Sequence, residues 1–300
     1  GYRRWRLTPQ QFKPPTVSTH FMTTMENLSI SEQLCYSTVR VECELRTGEL
    51  STGTGFFFRF LEDKISGTYV PVVITNKHVV RNSIKGRLII SKANENGEPI
   101  DTEHFRMFFS DFENFWKLHP DPNVDLCAMN IAPLLNQANS SGMKLFFLSF
   151  DKSLIPSEIQ KQELSALEDI LMIGYPNGIW DEVNNKPILR KGTTATHPNK
   201  DYNGKKELMI DVACFPGSSG SPVLIYNEGS YKDKKGNMYI GNKVLLLGVL
   251  YAGPQHTATG EIEIVTVPNF NKPVAFSRIP NNLGLVIKSE RIMELEELFK

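Results

Sequence analysis

The chain has 300 residues, 40% hydrophobic and 22% charged, with 33 Lys+Arg balanced by 33 Asp+Glu. That size and composition describe a globular protein with a substantial core, built as one large domain or two moderate ones. The charge balance, and the lack of a basic stripe interleaved with aromatics, argue against nucleic acid and anionic membrane as partners.

Residues 1–28 read as an irregular N-terminal arm or an added leader. Their start, GYRRWRLTPQQFKPP, has no apolar signal-peptide core. The longest apolar run, Val244 to Ala252, is far shorter than the roughly 20 residues that span a bilayer. Four cysteines, Cys35, Cys43, Cys127 and Cys214, form no CxxC pair. They suggest neither a zinc site nor a disulfide framework, and reduced thiols favour the cytoplasm. No metal or cofactor is expected.

Ser29–Glu32, SISE, reads as a capping box that opens a short helix through about Tyr36. STVRVECEL then alternates as a strand should. TGTGFFFRF and YVPVVITN are rich in β-branched and aromatic residues, and GRLIIS, HFRMFFS and VDLCAMNI continue the pattern. Residues 151–168 are polar and read as a linker. Strand-like runs resume with DILMIGYP, PILRKGTTAT, KELMIDVA, SPVLIY, KVLLLGVLYAG and EIEIVTV. Residues 227–243 read as a long hairpin loop. SERIMELEELF has an amphipathic pattern, with Ser289 as cap of a C-terminal helix. Many short strands and little helix indicate an all-β barrel or sandwich protein. The division is a first β half at 29–150, the linker, a second β half at 169–288 and a helix at 289–300.

CFPGSSGSPV, Cys214 to Val223, sets a tight glycine-serine turn between two strands. A serine nucleophile needs a base, a group that orients the base, and donors for the oxyanion. Only Ser219 has a glycine two residues before it, a glycine directly after it and a proline three after it. Gly217 permits the backbone angles that aim consecutive N–H groups into one space. The candidate oxyanion donors therefore fall within Gly217, Ser218 and Ser219. Of six histidines, His78 follows a buried-looking strand, VVITN, which would hold it rigidly. Asp125 opens the apolar run DLCAMNI, where a carboxylate is costly unless a partner satisfies it.

ITNKHVV, VDLCAM and GSSGSP, in that order, resemble the His, Asp and Ser motifs of the chymotrypsin-fold serine peptidases. GTGFFF, MIGYPNG and IPNNLGLVIKS are similar to the bacterial trypsin-like and HtrA-like branch. No PDZ-sized stretch follows residue 290, so the resemblance is to that branch without a PDZ domain. It implies two antiparallel six-stranded β-barrels with the active site between them. His78 would serve as base and then acid, Asp125 would fix its tautomer, and Ser219 would attack. Ser218 stands where secreted digestive members carry an aspartate that pairs with a new N-terminus, so activation by that ion pair is not expected.

The resemblance also implies that Ala213, Cys214 and Phe215 line one wall of the specificity pocket. Leu250, Tyr251 and Ala252 would line the other and pair with the substrate backbone. With Ala213 at the pocket floor, a small or apolar residue is expected before the scissile bond. The function expected is a serine endopeptidase acting on proteins or peptides through an acyl-enzyme, restrained in the cell by a device such as a regulatory partner protein. The alternative is a catalytically silent relative that binds peptides or partners. A nucleophile-elbow hydrolase is disfavoured, because SSGSP runs into a strand rather than a helix.

Overall fold

The computed structural model describes residues 28–253, 255–261, 274–280 and 282–300. The leader, His20 and all of EIEIVTV after Glu261 lie outside them. The chain enters at helix α1 (Ile30–Leu34), where Ser29 Oγ accepts the Glu32 N–H and the Glu32 carboxylate accepts the Ser29 N–H at 2.6 Å.

Eight strands then form an antiparallel sheet: β1 (Thr38–Leu45), β2 (Leu50–Asp63), β3 (Thr68–Thr75), β4 (Ser83–Ala93), β5 (Pro99–Ser110), β6 (Lys117–Leu118), β7 (Cys127–Asn130) and β8 (Leu145–Phe146). Their order is β5-β4-β1-β2-β3-β7-β6, with β8 on β4. β2 shows how sequence becomes packing. Successive side chains of a strand point to opposite faces. Phe56, Phe58 and Phe60 therefore enter the core shared with the second half, while Phe57 enters the inner core of the sheet.

The expectation of two closed barrels is corrected here, because this first sheet is open. The strand order ends at β5 on one side and at β6, only two residues long, on the other, and these two do not pair. The seam is filled by side chains instead. Phe112 and Trp116 are buried in the inner core, and the Phe112 ring lies directly over Gly86 of β4.

The second half is a closed six-stranded barrel. Its strands are β9 (Asp169–Gly174), β10 (Ile188–Thr194), β11 (Glu207–Asp211), β12 (Pro222–Asn227), β15 (Lys243–Ala252) and β18 (Leu283–Lys288), in the order β10-β11-β18-β15-β12-β9. Hairpin β13 (Ser230–Lys232) and β14 (Met238–Ile240) occupies the expected loop, and β16 (Gln255–Glu261) pairs with β17 (Val274–Pro280). Three short helices interrupt the strands: α2 (Lys77–Val80), α3 (Ala132–Ser140) and α4 (Glu158–Glu163).

The C-terminal segment Ser289–Phe299 is a 3-10 helix preceded by Lys288, without a side-chain cap, rather than the expected α-helix capped by Ser289. Ile292, Leu295 and Leu298 recur every three residues and pack on the shared core. A 3-10 helix, with three residues per turn, stacks such residues on one face. No described helix is long and apolar enough to cross a membrane.

Candidate active site

β3 ends at Thr75, and α2 turns His78 out of the sheet. Asn76 Nδ2 donates to the Asp125 carbonyl at 2.7 Å, tying the turn to the loop before β7. The Asp125 carboxylate then accepts twice from one residue: Oδ1 takes the His78 backbone N–H at 3.1 Å and Oδ2 takes Nδ1 at 2.5 Å. With the proton on Nδ1, Nε2 is left as an acceptor. Half of the His78 side chain is open to solvent (49%), against 24% for Asp125. Beside it, burial holds the Lys77 ammonium below its usual range, while Nζ donates to the Asp121 carbonyl at 3.0 Å.

Ser219 lies in the turn before β12. Gly217 and Gly220 have φ of 87° and 88°, in the left-handed region that favours glycine. A Cβ on Gly220 would stand 1.9 Å from the Thr54 carbonyl, so the turn sits hard against β2. Thr54 N–H donates to the Ser219 carbonyl at 2.8 Å, and Thr54 Oγ1 donates to the Gly217 carbonyl at 2.9 Å. The Ser218 N–H is used by the Phe215 carbonyl at 3.0 Å, and the Gly220 N–H by Leu250 at 2.8 Å. Among the described residues, the N–H groups of Gly217 and Ser219 have no acceptor, and Ser219 Oγ makes no hydrogen bond to His78. The candidate donors therefore narrow to Gly217 and Ser219. The Pro216 carbonyl is held by the Asn177 N–H at 2.5 Å, and a trans peptide then turns the Gly217 N–H the opposite way. GYPNG, within the MIGYPNG stretch of the family resemblance, is the turn that holds that peptide.

Ser218 is buried, and its hydroxyl has no partner among the described residues. Cys214 and Leu250 both belong to the barrel core, and a Cβ on Gly284 would meet both at 2.7 Å. Burial pushes the Cys214 thiol up to about 11, so it is an apolar filler. Leu250 also uses its backbone N–H on the Ser221 carbonyl at 2.9 Å, and its own carbonyl accepts the Gly220 N–H. Ala213, Phe215, Tyr251 and Ala252 are half-buried. The Arg190 guanidinium lies 5.0 Å from the Phe215 ring centre. No cluster of three or more His, Cys, Asp or Glu among the described residues could hold a metal ion.

Residues 53–230 match the family of the trypsin-like peptidase domain, and the chain belongs to that family. His78, Asp125 and Ser219 all lie inside the matched region. Among solved structures, the chain is similar to the Rv3671c protease from M. tuberculosis in its active form, at 15% identity and a TM-score of 0.41, over 86% of this chain and 78% of that one. It is also similar to the HtrA-type protease AlgW with tripeptide, at 14% and 0.43, over 88% of this chain and 60% of that one. The serine endoprotease from Yersinia pestis is similar at 14% and 0.44, over 88% and 63%. No curated protein sequence matches the chain.

Proposed function

We propose that the chain is a serine endopeptidase in which Ser219 is the nucleophile, His78 the base and Asp125 the group that orients it. The observation that carries this reading is the double acceptance of His78 by Asp125. One carboxylate fixes both the backbone and the ring of the histidine, and leaves Nε2 free on an open face. Nε2 takes the proton of Ser219 as Oγ attacks the scissile carbonyl carbon, and returns it to the leaving amine. The N–H groups of Gly217 and Ser219 receive the oxyanion. Water then repeats the sequence on the acyl-enzyme. The missing Ser219–His78 hydrogen bond is compatible with activity, because such bonds tighten when substrate binds. A silent, peptide-binding relative would share that feature.

A fluorophosphonate probe separates the two readings. It is expected to label the wild type at Ser219 and not to label Ser219→Ala. A folded wild type that stays unlabelled, or labelling that survives in Ser219→Ala, refutes the peptidase reading.

The residue before the cleaved bond is expected to be small or apolar. No carboxylate occurs in Ala213–Gly217, Asp211 at the end of β11 is exposed, and the charge beside Phe215 is the positive Arg190. A buried lysine or arginine there would lack a counter-ion. Cleavage of a peptide library checks this, and a preference for basic residues refutes it.

A further inference from the structure

Thr54 sits fully buried in β2 of the first sheet, yet all but one of the partners of its four polar functions belong to the second half. Its hydroxyl accepts the Tyr175 N–H at 3.1 Å and donates to the Gly217 carbonyl at 2.9 Å. Its N–H donates to the Ser219 carbonyl at 2.8 Å. Its own carbonyl is held by Thr75 Oγ1 at 2.7 Å, three residues before His78. One rotatable hydroxyl thus joins two segments that meet nowhere in sequence. The first is the turn at Tyr175–Gly178, whose Asn177 N–H holds the Pro216 carbonyl. The second is Gly217 itself. These two segments together decide which way the Pro216–Gly217 peptide faces. If that peptide turned over, a carbonyl rather than an N–H would face the reacting oxygen.

We propose that Thr54 is a positioning residue: its hydroxyl locks the Tyr175–Gly178 turn to Gly217 and so keeps the Gly217 N–H aimed at the developing oxyanion. This rests on the peptidase reading above. Thr54 touches no substrate, because it is buried beneath the turn. Its effect is therefore confined to the stage at which negative charge develops, and substrate binding is left nearly intact. Valine has the shape of threonine but neither donates nor accepts. Serine keeps the hydroxyl and loses only the methyl.

The test is steady-state cleavage of an internally quenched peptide, the one the wild type cleaves fastest in a library. Thr54→Val is expected to lower kcat by roughly 10- to 100-fold, less than the about 10²- to 10³-fold that follows loss of a whole oxyanion donor. KM is expected to stay within about 3-fold, and Thr54→Ser to return kcat to within about 3-fold of wild type. If Thr54→Val does not fold, Thr54→Cys against Thr54→Ser makes the same comparison, since a thiol is a poor substitute for both bonds. Unchanged kcat in Thr54→Val, a change in KM alone, or equal loss in the serine and cysteine variants overturns the proposal. A wild type that cleaves nothing overturns this proposal and the peptidase reading together. Activity with an indifferent Thr54 overturns this one only.

Discussion

At the scale of single residues, the site is defined by which hydrogen-bonding groups are used and which are left over. Asp125 has both carboxylate oxygens committed to His78. In Asp125→Asn, an amide NH2 would face Nδ1 and favour the tautomer that carries its proton on Nε2. Turnover is therefore expected to fall by about 10⁴-fold with the fold retained. Measuring kcat beside a denaturation curve checks it, and a loss under 10-fold would contradict the assigned role. Gly220 is constrained in a different way. Its φ of 88° costs an L-residue about 1–2 kcal/mol, and a Cβ would strike the Thr54 backbone oxygen at 1.9 Å. Backbone cannot swing aside as a side chain can. Gly220→Ala is expected to lower stability by at least about 2 kcal/mol and to abolish probe labelling, because relief must come from lifting Ser219 off β2. A stable, fully labelled variant would show that the turn is not held as described.

At the scale of elements, the loop that delivers Asp125 is gripped from two sides. Lys77 holds the Asp121 carbonyl from below. From the other side, the C-terminal 3-10 helix reaches it through Arg291, paired with Asp121 at 2.8 Å, and through His119. The His119 ring is fully buried. Its Nδ1 accepts the Asp121 N–H at 3.1 Å, and its Nε2 lies 3.2 Å from the Arg291 carbonyl and 3.3 Å from Glu294. Burial, reinforced by the Arg291 charge and opposed by Glu294, holds its pKa below the ordinary histidine value. The unfolded chain therefore takes up this proton first as pH falls below about 6.5. The stability linked to His119 is complete above that value and is lost as pH drops toward the lower folded-state pKa. A protonated Nδ1 could no longer accept the Asp121 N–H. Denaturant midpoints of wild type are expected to fall between pH 7.5 and 5.5, and to fall less in His119→Gln. Parallel profiles would exclude His119 as the cause. Here the sequence was only partly legible. Alternation shows the strands and SISE shows the first helix, because both signals are local. The clamp between residues 117–121 and 291–298 is not local, and neither is the Thr54 linkage across 121 and 163 positions. TGTGFFFRF reads as a strand that carries part of the family resemblance, and nothing local in the sequence marks Thr54 or His119. The open edge of the first sheet was equally hidden. It lies between β5 and the two-residue β6, with Phe112 filling the seam, and the family resemblance suggests closure at that edge.

At the scale of the whole molecule, three of the four apolar clusters among the described residues carry most of the core, the fourth being a small group around Tyr36, Phe146 and Leu148. One lies inside the first sheet, with Phe57, Leu88 and Trp116, and one inside the barrel, with Ile210, Val223 and Val286. The third spans both halves. It joins Phe56, Phe58 and Phe60 of β2 to Ile173 of β9, Leu224 of β12 and Val249 of β15, and is covered by Ile292, Leu295 and Phe299. Neither half can open without exposing this shared layer, which costs roughly 25 cal/mol per Å² of apolar surface. The site depends on the same seam, since His78 and Asp125 come from one side and Ser219 from the other. The chain is therefore expected to open as one unit. Phe58→Ala in the shared layer should cost about 3–5 kcal/mol, and Ile210→Ala inside the barrel about 2–5 kcal/mol. Hydrogen exchange followed by mass spectrometry reads both halves at once. In each variant, the slowest amides of β2 and of β12 are expected to accelerate by the same factor, even though Ile210 touches only the barrel core. If Ile210→Ala speeds exchange in 169–288 and leaves β2 protected, the halves open separately and the shared core is only a contact between two independent units.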